Sequence, residues 1–214
     1  MVKINPDRQK KLTNLTEVLW KQIVNVNCYF DLICLLPKLK KDYPDVTKLS
    51  PAFYSISYQS YVESCFSIVT KLYDKNGRST FLTLLEYCEK FPELIVGIQN
   101  ENGKKQITIE HFKSIVNESK SIYESYEKPL KNLKFLRDKL ISHSDLASPE
   151  SIEQFIRENP IYLTEIKELI DFATEFTRMI ITYLTTVVRN PHAKNINDVE
   201  FTFRRVQNFK DNKN

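Results

Sequence analysis

Glycine is scarce in this chain, with only Gly77, Gly97 and Gly103 in 214 residues. A Gly-rich phosphate loop needs several close backbone approaches and a β-sandwich needs many tight turns, so both are disfavoured. Histidine is equally rare (His111, His143 and His192), and no cluster of His, Asp, Glu or Cys stands at metal-ligand spacing. Metal-dependent hydrolysis is therefore disfavoured, and we expect no metal and no cofactor. Cys28, Cys34, Cys65 and Cys88 form no CxxC pair and mostly fall inside periodic apolar segments, as small core residues of a reducing compartment do. Long hydrophobic runs are missing too. The most apolar stretch, Met179 to Val188, is shorter than a membrane span and carries threonines, and the start Met1-Val2-Lys3-Ile4-Asn5 has no signal-like apolar core. A cytoplasmic protein with no membrane partner is expected. The net charge of +4 is too small to mark a nucleic-acid binder by itself.

What is present is helical periodicity. With 42% hydrophobic and 27% charged residues, and nine prolines mostly between periodic segments, the chain reads as a single all-α domain over residues 1–214. From Pro6 to about Lys40, Leu12, Leu15, Leu19, Ile23, Val26, Phe30 and Ile33 recur at helical spacing, and Trp20, Cys28 and Leu35 supply a second face. A loop around Tyr43-Pro44 leads to Ser50-Pro51, a cap followed by proline at the first helical position. The helix starting there carries Tyr54, Tyr58, Tyr61, Cys65, Val69 and Leu72, with Ser57, Ser60, Ser64 and Ser67 beside them for close packing, and stops by Asp74. Ser79 or Thr80 caps a shorter helix that ends at Phe91-Pro92, and a polar loop spans Gly97 to Lys105. A helix from near Thr108 meets Pro129, which kinks or restarts it. Ser148-Pro149 opens a short helix through Ile152 and Ile156. A long helix then runs to about Arg189, and residues 190–214 hold a last helix opening at Asn197-Asp198 and a frayed tail.

The segment Lys134 to Asp145 holds the candidate site. At 100° per residue, Leu130, Leu133, Leu140 and Ile141 lie within about 60° of Arg137, which puts a guanidinium in the middle of an apolar stripe. Burying it unpaired costs several kcal/mol or more. Arg137 therefore either meets a carboxylate from a neighbouring helix, such as Glu63 or Glu86, or lines a polar notch open to a ligand. His143 follows six residues on, about 9 Å along the axis and about 120° round. Metal-free RNA cleavage needs a group near neutral pKa to move protons, which suits His143, and a fixed fork of donors for phosphate oxygens, which suits Arg137. Asp145 could orient the imidazole, and Asp138 could hold the arginine. Lys128, Lys131, Lys134 and Lys139 wind around the same helix and give a basic field for an RNA backbone. The structural alternatives are a buried ion pair for Arg137 and a helix-end histidine bonding the last carbonyls for His143.

Through Arg137-Asp138-Lys139-Leu140-Ile141-Ser142-His143 the chain resembles the HEPN superfamily, marked by an arginine and a histidine near the end of a bundle helix. Five residues stand between them, one more than the commonest spacing. The chain looks closest to the AbiU-type branch of abortive phage infection, where R-x-K-x-x-A-H-x-D recurs. Arg137, Lys139, His143 and Asp145 match, and Ser142 stands where alanine is usual. Val69 to Asp74 followed by Phe81 to Leu85 is similar to the same branch. The resemblance implies an up-and-down helical bundle with a four-helix core and extra short helices, forming a homodimer whose motif helices face each other across the two-fold axis. It also implies a metal-independent ribonuclease of phage defence or a toxin–antitoxin pair, with RNA as substrate, an antitoxin as possible partner, and Arg137 and His143 as the active pair. Asp138, Lys139, Ser142 and Asp145 would support it. Some members only bind nucleotides or partners, so a non-catalytic dimerisation or binding module is the rival expectation.

Overall fold

The computed structural model describes residues 5–96, 107–138, 157–158, 160–192 and 195–211. The fold is an all-α bundle. Among the described residues its helices are α1 (Pro6–Asp42), α2 (Pro44–Leu49), α3 (Pro51–Leu72), α4 (Phe81–Lys90), α5 (Glu93–Val96), α6 (Ile109–Ser125), α7 (Glu127–Arg137), α8 (Leu163–Thr185) and α9 (Asn197–Asp211). No described helix is long and apolar enough to cross a membrane.

The central element is α1, which packs against α3 and α8 along its length and against α4 and α2 towards its ends. Asn5 starts it by accepting from the N–H groups of Asp7 (3.0 Å) and Arg8 (3.3 Å), with Pro6 in the first turn where no N–H is missed. Its buried residues form one broad stripe, Leu12, Leu19, Trp20, Ile23, Val26 and Ile33 among them, with Lys10, Asn14, Val18, Lys21 and Asn25 exposed on the opposite face. Buried side chains from α1, α3, α4, α6, α7 and α8 then merge into one apolar cluster with Phe81 at its centre, its ring edge-on to Phe172 and Phe176 at 5.0 and 5.6 Å.

Several expected boundaries shift. The segment after Tyr43 is a short helix, not a loop, started by Pro44 and burying nothing. Ser50 makes no side-chain cap bond, so Pro51 alone marks the start of α3. Ser60 and Ser67 are exposed, and only Ser57 and Ser64 are half-buried against neighbours. Thr80 rather than Ser79 caps α4, accepting from the Thr83 N–H at 3.3 Å. Pro129 restarts the helix: α6 ends at Ser125, Tyr126 serves as the joint, and Pro129 sits in the first turn of α7 where an N–H would have no intrahelical acceptor. The last long helix stops at Thr185, short of Arg189, because Thr186 adopts the left-handed conformation (φ 60°). The short helix expected from Ser148 to Ile156 and the loop from Gly97 to Lys105 fall outside the described residues.

Candidate functional site

The C-terminal end of α3 and the turn after it lie against α7. Between them, and bounded by the last turn of α6, is a cleft of about 380 Å³, large enough for a small ligand. Tyr73, Tyr123 and Leu130 line it with apolar surface, and charged side chains project from its rim. The two tyrosines are fixed by each other. Their rings stack at 5.7 Å, Tyr123 Oη donates to the Tyr73 carbonyl at 3.1 Å, and Tyr73 Oη donates to the Leu169 carbonyl on α8 at 2.6 Å. Burial holds the Tyr73 phenol well above its ordinary pKa, so it stays a neutral donor. After Tyr73 the chain must turn sharply. The Asp74 carboxylate accepts from the Asn76 N–H at 3.1 Å, and a β-carbon at Gly77 would sit 2.4 Å from Thr80 Cγ2. Gly77 thus lets the turn close against the residue that caps α4.

Arg137 lines this cleft from α7. Its Nε donates to Asp138 Oδ1 at 2.8 Å, Nη2 pairs with the same oxygen, and Nη1 donates to Thr70 Oγ1 at 3.2 Å. The Thr70 hydroxyl donates back to its own helix, to the carbonyls of Phe66 (2.9 Å) and Ser67 (3.0 Å), and so presents a lone pair to the guanidinium. Three of the five guanidinium donors are used this way, two of them on the neighbouring Asp138 and one, to Thr70, across the α3–α7 contact. The expected partners from other helices are not used. Glu63 accepts from Gln59 Nε2 at 2.8 Å, and Glu86 is exposed on α4. The carboxylate that meets Arg137 is its chain neighbour. Among the described residues, the buried positions of α7 are Asn132, Leu133 and Leu136, and Arg137 stands at their border with its side chain 27% exposed; Leu140 and Ile141, the other half of the expected apolar stripe, lie outside the described residues. That border position needs no deep charge burial, which removes the energetic conflict read from the helical wheel.

Of the expected RNA-contacting lysines, Lys131 and Lys134 line the cleft beside Arg137, while Lys128 is exposed but does not. His143, Lys139, Ser142 and Asp145 lie outside the described residues. The field in the cleft is more mixed than the motif helix alone implies. Lys75, Lys131, Lys134 and Arg137 face Asp74, Glu124 and Glu127, and Lys75 approaches Glu127 at 3.7 Å. Asp74 and Glu124 come from other elements, which no pattern along one helix reveals. Sequence reasoning also misses Thr70, Tyr73 and Tyr123 as site residues; the only signal is the segment from Val69 to Asp74, similar to the AbiU-type branch, which the fold sets opposite Arg137. Among the described residues no three His, Cys, Asp or Glu side chains converge as metal ligands would.

Chemically, the cleft offers a donor fork held in place by Asp138 and Thr70, two ammonium groups on the same wall, and an apolar surface of a size that suits a flat ring. Such a set can take a phosphate and an adjoining base. The family model described as AbiU2, of the HEPN type, matches residues 9–202. No curated protein and no solved structure matches the chain.

Proposed function

Since the chain belongs to the HEPN-type AbiU2 family, which points to a role related to abortive infection, we propose that it is a metal-independent endoribonuclease of phage defence or of a toxin–antitoxin system. The observation that carries this reading is Arg137, fastened by Asp138 and Thr70 on the wall of a nucleotide-sized cleft with Lys131 and Lys134 beside it. In the proposed reaction a base takes the proton of the ribose 2′-hydroxyl, the freed oxygen attacks phosphorus, the P–O5′ bond breaks, and O5′ takes up a proton. The products are a 2′,3′-cyclic phosphate and a 5′-hydroxyl. His143, six residues after Arg137, is the acid or base, and Arg137 pairs with the non-bridging oxygens as their charge grows. Two copies of the motif facing each other in a homodimer would surround one phosphate from both sides.

The test is cleavage of RNA by the purified protein in EDTA, with cyclic phosphate ends on the product. Arg137→Ala and His143→Ala should each lower the rate by about a hundredfold or more. Activity that survives in either variant removes that residue from the mechanism, and sedimentation of the wild type as a monomer at assay concentration removes the dimeric site.

One observation favours a second reading, a non-catalytic binding or dimerisation module. One of the bonds that orient Arg137, from Nη1 to Thr70 Oγ1, also ties α7 to α3, so the arginine has a structural use. Under that reading Arg137→Ala lowers the melting temperature or splits the dimer, while His143→Ala changes nothing measurable.

A further inference from the structure

The cleft is a poor electrostatic trap. Four cations line it against three carboxylates, so it offers little of the long-range attraction that draws a polyanion to a protein. A different surface has the charge the cleft is short of. Where α1 begins and α4 ends, Asp7, Arg8, Lys11, Tyr87, Lys90 and Phe91 frame a shallow groove of about 400 Å³. Three cations line it with one carboxylate, Glu93 beyond the rim is near enough to act on the Tyr87 phenol, and Arg8, Lys11 and Lys90 are all exposed. The groove is also built around flat surfaces. Tyr87 and Phe91 lie 4.9 Å apart, and Tyr87 Oη donates to the Arg8 carbonyl at 3.2 Å, which fixes α4 to the start of α1. The Arg8 guanidinium stands 4.3 Å over the Phe91 ring, Lys90 stands 5.5 Å from the same ring, and Lys11 stands 5.4 Å from the Tyr87 ring.

Packing alone accounts for one of these cations and not for three. Arg8 on Phe91 holds two helices together, but Lys90 brings a second positive charge to the same ring, and Lys11 a third to its neighbour. Like charges drawn together on a surface are relieved by an anion between them. Phosphates spaced along a strand would supply it, and exposed guanidinium and ring surfaces are what unpaired bases stack on. We propose that this groove is a second binding surface for single-stranded RNA, in which Lys11 and Lys90 pair with backbone phosphates and the Arg8–Phe91 and Tyr87 surfaces take bases. It rests on the ribonuclease reading only for the identity of the polyanion, and it assigns substrate capture to a place other than the cleft.

The experiment is binding of a fluorescent 20-nucleotide single-stranded RNA to the full chain carrying Arg137→Ala, followed by anisotropy over a range of salt concentrations. Adding Lys11→Glu and Lys90→Glu should weaken binding about tenfold or more at low salt and reduce the slope of log affinity against log salt by about 1.4, or about 0.7 for each phosphate left without its lysine. Phe91→Leu keeps an apolar side chain in place and should weaken binding about fivefold or more without changing that slope. If the double reversal lowers the melting temperature, Lys11→Gln with Lys90→Gln keeps the same direction with a smaller effect. Unchanged affinity and slope overturn the proposal, as does equal displacement of the RNA by polyglutamate, which would mark a site for any polyanion. The two readings fail separately. A protein that binds RNA through the groove but cuts nothing loses the ribonuclease function and keeps the groove, whereas one that cuts RNA with its groove variants binding normally keeps the function and loses the groove.

Discussion

Thr70 has the least conspicuous side chain in the cleft and a decisive one. Its hydroxyl is satisfied within α3 and still has a lone pair for Arg137, so it positions the guanidinium without competing for the ligand. Valine has nearly the same shape and no such lone pair. Thr70→Val should therefore leave the melting temperature within a few degrees and lower the proposed RNA cleavage, by kcat/KM, about tenfold, as expected for one bond to a charged group. A variant that cuts RNA at the wild-type rate would mean that the bond to Thr70 does not set the arginine's position. Arg137 itself can be found in the sequence because a guanidinium among leucines poses an energetic question. Thr70 cannot, since a threonine back-bonded to its own helix leaves no mark in a pattern of apolar and polar residues. Asp138 is legible in the sequence as one candidate partner for Arg137, but the choice between it and a carboxylate from another helix depends on how the helices pack, which the sequence does not carry.

Helices are legible wherever apolar residues repeat over many turns and a proline or cap punctuates them. The starts at Pro6, Pro51 and Asn197 and the stop at Leu72 coincide with such marks. The six residues of α2 are too few to show a period, and Phe203 of α9 reaches back to Tyr43 beside them at 6.3 Å, a tertiary contact that local sequence cannot carry. The end of α8 is hidden because Val187 and Val188 continue the apolar look beyond the backbone reversal at Thr186. That reversal has a measurable cost. Threonine is β-branched, and a left-handed conformation crowds its side chain against the backbone by roughly 1 kcal/mol or more. Thr186 is exposed, so little packing is lost with it. Thr186→Gly should raise the urea midpoint by an amount equivalent to about 1 kcal/mol, offset in part by the looser unfolded chain. A fall in the midpoint would show that the bond from the Thr186 N–H to the Thr182 carbonyl, at 2.8 Å, needs the threonine side chain to hold it.

Beyond that reversal, the segment from Val187 to His192 is drawn back across the bundle to α1. Arg189 grips Glu17 with both arms of its fork, at 2.8 and 2.6 Å, and His192 Nδ1 meets Asp31 Oδ2 at 2.8 Å. These bonds join residues far apart in the sequence, so they restrict how α8 can move against α1, the helix at the centre of the core. They also tie stability to pH. Hydrogen bonds from Arg189 hold the Glu17 carboxyl below its ordinary range, against a smaller opposing effect of burial. A carboxyl with a lowered folded-state pKa stabilises the fold fully above its unfolded value, and the contribution disappears as pH falls through the folded value. Glu17→Gln should therefore be less stable than wild type near neutral pH, and the two urea curves should converge in acid once both forms are uncharged at this position. The gap should stay within about 1 kcal/mol, because the Glu17 side chain is 38% exposed and solvent screens a pair this open. Curves that remain parallel down to low pH would place the stabilisation in the packing of the returning segment rather than in the charge pair that fastens it.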